Sequence, residues 1–453
     1  MENLFLFIKD IFYVISINGV DDAPKLLAYF VPLLIAWTTF KRIKNKSQEK
    51  NLETLRKIEE AGVAEPVSLH PVVDINKCLG CGTCVSACPE GEVLGIVNEK
   101  AMLINPAACI GHGACRAACP QNAISLVFGT AKRGVDIPVL TPEFETNIPG
   151  IFIAGELGGM GLIRNATNQG RQAIDAILKR PGIGKGPALD VVIIGAGPAG
   201  ISSSLAALQK KLRSITIEQD TLGGTVAHYP RGKLIMTSPV ELPIYGKVNF
   251  RETSKEALIE LWTDVIEKTN LKIQYQERME NITKHPDGYV VETNKRRYLT
   301  RNILLCIGRR GTPRKLEVEG EEQSKVLYSL TDPEQYRGKR VLVVGGGNSA
   351  LEAATSIAEE PDTTVTLSYR SAKFSRAAPK NLDKVKYMAE EGRLQVLMES
   401  SVKEIREDSV ALEHRGEPVE LPNDSVIVCA GGVLPTPLLK RVGIEVETKY
   451  GTA

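Results

Sequence analysis

This 453-residue sequence lacks a clear excess of either positive or negative charge. Its 56 Lys and Arg residues nearly balance 54 Asp and Glu residues, leaving a formal net charge of +2. It also has no basic run interleaved with aromatic residues, a pattern typical of nucleic-acid-binding proteins. We therefore expect no nucleic-acid partner. No solenoid-type repeat is visible, and the length leaves room for about three domains.

Cysteine is scarce outside one short segment. Seven of the nine cysteines fall between Cys78 and Cys119, which is the clustering of a metal site rather than of a disulfide framework. The other two, Cys306 and Cys429, lie in apolar strand-like runs. We expect both to be buried thiols.

Long hydrophobic runs are absent except near the N-terminus. Residues 26–40 carry no charge and are followed at once by KRIKNK, while residues 4–20 are apolar apart from Lys9 and Asp10. No signal peptide is expected, because the start is acidic and no small-residue cleavage site follows. Residues 26–40 are short for a transmembrane span, which needs about 20 residues. A true span, an interfacial anchor and a partner-binding helix all remain open.

The basic residues after the apolar run indicate which side the rest of the chain would occupy. We expect attachment to the cell inner membrane, single-pass or anchored and in contact with lipid, with the soluble domains facing the cytoplasm. Residues 47–62 then combine alternating charges with Leu52, Leu55 and Ile58 at helical spacing. This pattern predicts a solvated stalk helix.

The first cysteine run is Cys78-x2-Cys81-x2-Cys84-x3-Cys88-Pro89. It matches the bacterial ferredoxin run residue for residue, and this spacing wraps three thiolates around one iron–sulfur cluster while the fourth reaches another. A zinc site would show a different spacing at its end. The run therefore predicts iron–sulfur clusters.

The second run, Cys109-x2-His112-x2-Cys115-x3-Cys119-Pro120, has the same frame with a histidine in place of its second cysteine. In proteins with two such runs, the last cysteine of each run ligates the cluster that the other run holds. The first ligand set is then Cys78, Cys81, Cys84 and Cys119, for a [4Fe–4S] cluster, and the second ligand set is Cys109, His112, Cys115 and Cys88.

His112 leaves three readings open. It ligates a [4Fe–4S] cluster, it leaves a [3Fe–4S] cluster on three cysteines, or it lies at the surface. Its place at the ligand position, between two glycines that let the backbone fold closely, favours ligation. Imidazole ligands raise cluster potentials elsewhere.

The stretch VVIIGAGPAG at 191–200 joins a strand to a helix through a glycine-rich turn. Gly195 makes the turn, Gly197 lets a pyrophosphate approach, and Gly200 admits the helix against the strand. Glu218 ends the next strand, where a carboxylate accepts ribose hydroxyls. The unit predicts a dinucleotide site.

A second unit, VLVVGGGNSALE, places Gly345, Gly347 and Ala350 at the three small-residue positions. Its next strand ends in Arg370 and has no acid, and Arg376 follows closely. An arginine at this place favours a coenzyme with a 2′-phosphate. We expect NADPH rather than NADH, although Arg370 could equally be a solvated strand end.

From residue 190 to about 437 the sequence resembles the thioredoxin reductase-like flavoproteins. The landmarks that carry the resemblance are Gly195, Ala196, Gly197, Pro198, Ala199, Gly200, Glu218, Gly223, Gly224, residues 304–307, Gly308, Gly345, Gly346, Gly347, Asn348, Ser349, Ala350 and residues 430–432. The resemblance implies FAD in the first site and NADPH or NADH in the second. Gly155-Glu156 is similar to the family's closing Gly-Asp, whose acid contacts FAD and whose following helix points its N-terminus at the flavin.

The fold implied is α/β, with two Rossmann-like three-layer domains for FAD and NAD(P)H, a small α+β ferredoxin domain and an N-terminal membrane helix. The closing motif at Gly155 precedes the opening motif at Gly195, so the chain is expected to be circularly permuted. The echo between FGTA at 128–131 and YGTA at 450–453 is what a duplication followed by trimming would leave. Such rearrangements are tolerated at surface connections.

The domain boundaries expected on this basis follow the chain from its N-terminus. They are a membrane anchor (1–46), a stalk (47–70), a two-cluster ferredoxin domain (71–130), the C-terminal half of the FAD domain (131–182), its N-terminal half (187–312), the NAD(P)H domain (313–437) and a return towards the FAD domain (438–453).

The predicted function is a membrane-anchored oxidoreductase that passes electrons between NAD(P)H, FAD and two clusters, to or from a one-electron partner. A flavin is needed because hydride donors move two electrons and clusters move one. The partner could be a redox protein or a quinone at the membrane, and a homodimer remains open. Thioredoxin reductases use a Cys-x-x-Cys pair, but only Cys306 and Cys429 lie outside the cysteine runs, so disulfide reductase chemistry is not expected. The alternative is a flavin-based redox sensor or docking module without turnover.

Overall fold

A computed structural model describes residues 23–60, 66, 69–109, 111–131, 134–159, 161–229, 234–236, 239–249, 252–375 and 377–451. Helix α1 spans Ala23–Glu60. Along the described residues, no helix has an apolar stretch long enough to cross a membrane. The predicted inner-membrane location and membrane helix are therefore wrong. The physical reason is length, since the uncharged run 26–40 stops short of the roughly 20 residues a span requires. The apolar stretch 4–20 lies outside the described residues.

The second half of α1 is not the fully solvated stalk predicted for residues 47–62. Asn51 donates from Nδ2 to the carbonyl oxygen of Ile96 at 3.0 Å, and Lys50 forms an ion pair with Glu92 at 2.5 Å. Ile58 is buried. One face of the helix thus packs on the cysteine-rich module, while the other keeps its charges in solvent.

The cysteine-rich module is small and is built from short strands around two one-turn helices. Its elements are β1 (His70–Val73), α2 (Thr83–Ser86), β2 (Leu94–Val97), β3 (Lys100–Leu103), α3 (Ala114–Ala117) and β4 (Ile124–Val127). β1 pairs antiparallel with β4, and β2 with β3. Gly82 and Gly113 precede the two helices with φ of 78° and 77°, a left-handed conformation that glycine adopts at little cost. The two cysteine runs therefore form two similar turns.

The first large sheet contains the glycine-rich turn at Gly195. The elements of this part are β5 (Val135–Pro138), β6 (Ile151–Ile153), α4 (Ile163–Leu178), β7 (Leu189–Ile194), α5 (Pro198–Gln209), β8 (Ser214–Ile217), β9 (Leu234–Met236), β10 (Val240–Leu242), β11 (Gly246–Val248), β12 (Glu252–Ser254), α6 (Lys255–Thr269), β13 (Ile273–Gln274), β14 (Met279–His285), β15 (Gly288–Thr293) and β16 (Arg297–Leu305). The strand order is β13-β8-β7-β16-β15-β14, and β6 also pairs with β16. β7 is apolar on both faces and almost wholly buried, as expected of a central parallel strand.

Residues 151–178 belong to this same sheet and core although they precede β7 in the chain. β6 runs parallel to the end of β16, and α4 packs on α5. At Gly170 an added Cβ would lie 2.3 Å from the carbonyl oxygen of Ala199, so only glycine lets the two helices approach this closely. Phe152, Ile174 and Ile193 share one buried cluster.

The second large sheet carries the glycine-rich turn at Gly345. The elements of this part of the chain, in and around the sheet, are β17 (Thr312–Pro313), β18 (Val326–Leu327), β19 (Arg340–Val344), α7 (Asn348–Ala358), β20 (Thr364–Tyr369), α8 (Pro379–Glu390), β21 (Leu394–Met398), β22 (Ser400–Ile405), β23 (Ser409–His414), β24 (Glu417–Pro422), β25 (Ser425–Val428), β26 (Gly432–Val433), α9 (Thr436–Val442) and β27 (Val446–Lys449). The parallel order is β18-β25-β19-β20-β21, with β22–β24 as a separate antiparallel sheet.

The C-terminal segment returns to the first sheet's side of the molecule. β27 pairs antiparallel with β5, with Lys449 opposite Val135. The amide of Gly451 donates to the carbonyl oxygen of Phe128 at 2.8 Å. The last described residues therefore lie beside the segment that leaves the cysteine-rich module.

Candidate cofactor sites

The turn at Gly195 forms an open cradle at the N-terminus of α5. An added Cβ at Gly195 would lie 2.5 Å from the carbonyl oxygen of Cys306, and one at Gly200 would lie 1.8 Å from that of Gly195. At Gly197 an added Cβ would meet, among the described residues and within 4 Å, just the Cα of Gly224, at 4.0 Å. Two glycines thus permit close packing, while the third faces open space in front of free helix N–H groups. This arrangement fits a pyrophosphate.

Pro198 and Ala199 form the first turn of α5, and Gly223 and Gly224 face the cradle from the next loop. Gly223 has φ of 103° and donates its amide to the carbonyl oxygen of Ala196 at 3.0 Å. The backbones of Gly197 and Gly224 also lie close together, since an added Cβ on Gly224 would be 3.2 Å from the Cα of Gly197. We keep these residues as predicted FAD contacts.

Glu218 follows β8 and is buried. Its Oε2 accepts from the amide of Ala196 at 2.7 Å and its Oε1 from the amide of Asp220 at 2.9 Å. Each carboxylate oxygen can accept a further hydrogen bond. The carboxylate is therefore fixed in orientation and still able to bind ribose hydroxyls.

The Gly155-Glu156 turn lies against the same helix. An added Cβ on Gly155 would be 3.0 Å from that of Ala199, and the amide of Gly155 donates to Oε1 of Gln169 at 2.8 Å. Burial raises the pKa of Glu156, against the opposing effects of the nearby Arg309 charge and amide. Gly308 lies between Glu156 and Thr225. The predicted residues Glu156 and Gly308 are thus brought together.

The second turn repeats the design of the first. An added Cβ at Gly345 would lie 2.4 Å from the carbonyl oxygen of Cys429, whereas one at Gly347 would meet nothing within 4 Å. Ala350 is fully buried beneath the turn. This loop also fits a pyrophosphate. Cys306 and Cys429 occupy matching places in the two units, and burial raises their pKa values to about 12 and about 11.

Asn348 and Ser349 begin α7 directly after the second turn. Oδ1 of Asn348 accepts from the amide of Ala378 at 2.6 Å and from Nδ2 of Asn381 at 3.1 Å, so this side chain holds the start of α8. Ser349 is exposed. Their role as coenzyme contacts stays a prediction.

The end of β20 carries an exposed arginine. Arg370 is exposed, Lys373 is exposed three residues later, and Arg376 lies outside the described residues. Tyr369 stacks on Phe374 with ring centroids 5.2 Å apart, and its ring covers Gly346. Two cations therefore flank an aromatic pair beside the second glycine-rich turn.

The first ligand set converges on one cavity. Cys78, Cys81, Cys84 and Cys119 all line it. No group of three His, Cys, Asp or Glu side chains among the described residues is placed to hold a single metal ion. A cluster spaces its thiolates farther apart than one ion does, so the four cysteines around one cavity fit an iron–sulfur cluster.

The second ligand set is also gathered in one place. Cys88, Cys109 and Cys115 lie close enough together that the charge of one thiolate would raise the pKa of another. His112 has a buried Nε2 without a hydrogen-bond partner, and burial lowers its pKa. A buried neutral imidazole with an unused nitrogen suits a metal ligand. The set fits a second cluster, and the role of His112 stays a prediction.

Most of these thiols would resist ionisation without a metal. Burial raises the pKa of Cys84 to about 11 and also raises the pKa values of Cys88, Cys109 and Cys115. The pKa of exposed Cys81 shifts the other way, because the hydroxyl of Thr83 lowers it. Iron binding would supply the charge that keeps buried thiolates deprotonated.

Phe128 joins the cysteine-rich module to the first dinucleotide site. An added Cβ on Gly159 would lie 2.6 Å from the Phe128 ring, and Gly159 ends the short helical turn that begins at Glu156. The module is therefore packed against the loop that carries the Gly155-Glu156 motif.

The comparisons with known proteins agree with this geometry. The family model described as pyridine nucleotide-disulphide oxidoreductase matches residues 192–452, which is more than half of the chain. The chain belongs to this family. A 4Fe-4S dicluster domain matches residues 70–120. The protein is thus an FAD-dependent pyridine nucleotide oxidoreductase with a ferredoxin-like 4Fe-4S domain, and FAD and NAD(P) are its cofactors.

Curated relatives match the reductase part. Bacilliredoxin reductase Bdr of Bacillus subtilis is 25% identical over 266 residues, covering 57% of this chain and 82% of the relative. Ferredoxin–NADP reductase of Acholeplasma laidlawii is 29% identical over 268 residues, covering 57% and 79%. The structure of bacillithiol disulfide reductase Bdr from Bacillus cereus is similar in fold, with a TM-score of 0.51 at 24% identity over 58% of this chain and 83% of that one.

The prediction that the protein is not a disulfide reductase is wrong. The family is described as pyridine nucleotide-disulphide oxidoreductase, and the curated relative from Bacillus subtilis is a bacilliredoxin reductase by name. The cysteine count tested only for a Cys-x-x-Cys pair inside the chain. It could not test for a disulfide that arrives on a substrate.

Sequence reasoning missed Arg309, Thr225 and Gln169. Arg309 donates from a guanidinium nitrogen to the carbonyl oxygen of Asp136 at 2.8 Å and also lies near Glu156. The sequence signal for Arg309 was a charged residue directly after the glycine that follows a buried strand. Thr225 and Gln169 gave no signal, because folding alone brings them to the site.

His112 gives a test of the second ligand set. We expect His112→Ala to lose one iron from that cluster and show a three-iron signal in electron paramagnetic resonance. His112→Cys should keep four irons and lower the cluster potential, since thiolate is a stronger donor than imidazole. The first cluster serves as the internal control. An unchanged spectrum and potential in both variants would exclude ligation.

Proposed function

We propose that this oxidoreductase exchanges electrons between NAD(P)H and an external one-electron partner, using its FAD site and its two cysteine sets in turn. The observation that carries the proposal is the contact of Phe128 with Gly159. It packs the cysteine-rich module on the loop of the FAD site that holds Glu156. FAD accepts an electron pair from NAD(P)H and can release single electrons to iron–sulfur clusters.

The chain's own residues would bind and orient these groups. The cradle between Gly197 and Gly224 would hold the FAD pyrophosphate, and Glu218 would hold the ribose. Arg370 would grip a 2′-phosphate at the second site, with Lys373 beside it, which favours NADPH. No side chain need act as a general acid or base.

We also propose that the reductase part is circularly permuted, with the domain boundaries given above. Support comes from β6 and α4, which complete the sheet and core that β7 begins. The pairing of β27 with β5 and the hydrogen bond from Gly451 to Phe128 bring the two would-be joined segments together. Lys132, Arg133 and the last two residues lie outside the described residues.

Reduction of a disulfide carried by a substrate is a second candidate. It is supported by the likeness to bacilliredoxin reductase Bdr over 57% of the chain. In that case the cysteine sets would supply single electrons to the substrate or serve a separate acceptor.

Steady-state assays under anaerobic conditions distinguish these functions. The reconstituted protein is given NADPH or NADH with either a one-electron protein acceptor or a low-molecular-weight disulfide. Turnover with the protein acceptor that disappears in Cys109→Ser supports the first function. Disulfide reduction that survives this substitution supports the second, and flavin that neither coenzyme bleaches would indicate a sensor without turnover.

A further inference from the structure

The two ligand sets lie at opposite ends of the β1–β4 strand pair. Val73 and Ile124, which are paired at one end, line the cavity of the first set. At the other end His70 is paired with Val127, and the neighbouring Leu69 abuts Gly111 in the turn of the second set. Three residue steps of about 3.4 Å separate the two pairs. The sets are thus offset along the strands by roughly 10 Å.

The end that carries the second set is the end nearest the FAD site. β4 continues from Val127 directly into Phe128, whose ring covers Gly159 and whose carbonyl oxygen accepts from Gly451. Sγ of Cys109 lies 3.8 Å from the carbonyl oxygen of Leu69, at this same end. The second set therefore lies between the FAD site and the first set.

The first set opens on an apolar patch of surface. Leu79 lines its cavity and is 70% exposed, and Ile75, in the turn between Asp74 and Cys78, is 62% exposed. Cys81 is an exposed member of the set. We call Ile75, Leu79 and Cys81 the exit surface. Exposed apolar side chains around a functional group are typical of a docking site.

The two lysines beside the exit surface are both held by contacts within the module. Lys77 pairs with Asp74 at 3.4 Å, and Nζ of Lys100 donates to the carbonyl oxygen of Cys78 at 2.6 Å. A partner held mainly by charge would meet little net potential here. The surface instead fits a carrier whose own redox centre is surrounded by apolar side chains, and its binding should depend only weakly on salt.

We propose that a one-electron carrier protein docks on the exit surface and exchanges electrons with the cluster of the first set, while the second set connects that cluster to the flavin. This inference rests on the proposed function. NAD(P)H yields NAD(P)+, one proton and two electrons, so two oxidised carrier molecules are each reduced by one electron per coenzyme.

The docking surface is tested with Ile75→Asp in the full-length holoprotein, with azurin, a one-electron copper protein whose copper lies beneath an apolar patch, as the probe carrier. Leu327→Asp places the same charge at another exposed site, which is 40% exposed. We expect the second-order rate constant for azurin reduction to fall about tenfold or more in Ile75→Asp and to stay unchanged in the control, because docking would bury an unpaired carboxylate. Ferricyanide reduction should be equal in both, since a small acceptor needs no docking surface.

Binding is measured independently of turnover. Hydrogen–deuterium exchange of the dithionite-reduced protein should show protection of residues 74–82 by azurin in the control but not in Ile75→Asp. Protection elsewhere, or equal protection and rates in both variants, would overturn the docking site. If neither coenzyme reduces the wild-type flavin, the proposed function fails, while this footprint still decides the surface.

The order of the two sets is tested with Cys109→Ser by freeze-quenched electron paramagnetic resonance. NADPH should then leave the first cluster oxidised, although dithionite still reduces it. Reduction of the first cluster by NADPH at the wild-type rate would overturn the order. If this variant does not retain the first cluster, His112→Ala replaces it, with slower reduction of the first cluster expected and an unchanged rate contradicting the order.

Discussion

Replacing Arg370 with alanine should weaken NADPH binding about a hundredfold and leave NADH binding nearly unchanged. A charge-assisted, bidentate contact to a 2′-phosphate contributes a few kcal/mol, which corresponds to this factor. Arg370 is exposed at the end of β20, where a coenzyme phosphate could reach it. The absence of a carboxylate at this strand end removes the repulsion by which NAD-specific sites reject the phosphate.

Dissociation constants for both coenzymes, measured by fluorescence titration, test this prediction. Arg297→Ala is the matched control, because Arg297 is exposed at the start of β16 in the first large sheet and pairs with Glu292 at 3.0 Å. Arg376→Ala should act like Arg370→Ala but less severely. An equal loss for both coenzymes would assign Arg370 to the fold or to the shared pyrophosphate, and a wild-type preference for NADH would refute the assignment.

Gly200→Ala should yield protein that has lost most of its FAD and much of its stability. The new Cβ would lie 1.8 Å from the carbonyl oxygen of Gly195, so α5 must move away from the strand that precedes it. Overpacking of this kind typically costs about 1–3 kcal/mol and can cost more. The displaced helix would also withdraw its N–H groups from the pyrophosphate.

Gly197→Ala separates cofactor binding from stability. Its Cβ would meet only Gly224, at 4.0 Å, but it would project into the space assigned to the pyrophosphate. FAD affinity should therefore fall about tenfold or more while the melting temperature of the apoprotein stays near wild type. The FAD-to-protein ratio and apoprotein melting curves of both variants are the readouts. Wild-type FAD content in Gly200→Ala would contradict this account of the turn.

Local patterns predicted the parts of the sites that are built from consecutive residues. The turns at Gly195 and Gly345 depend on the fit of a glycine against its own strand and helix, and the cysteine runs depend on short spacings. The residues that form each turn and each cysteine run are only a few positions apart in the sequence. The family resemblance also led correctly to an oxidoreductase with FAD, NAD(P) and a 4Fe-4S domain.

Features that depend on distant contacts could not be predicted in this way. Arg309 donates to Asp136 in β5, a contact between residues far apart in the chain, and Asn348 contacts the start of α8 in the same way. The charge pattern of α1 predicted solvent on all sides, but Asn51 reaches Ile96 across the module. The membrane prediction gave weight to the apolar character of residues 26–40 over their insufficient length.

The most direct test of the central claim is anaerobic rapid mixing of the holoprotein with NADPH, followed optically and by freeze-quenched electron paramagnetic resonance. The claim is that electrons from the coenzyme reach the cysteine-rich module through the FAD site. We predict that the flavin is bleached first and that reduced-cluster signals then appear as the flavin is reoxidised. Bleached flavin with clusters that stay oxidised, although dithionite reduces them, would contradict the claim.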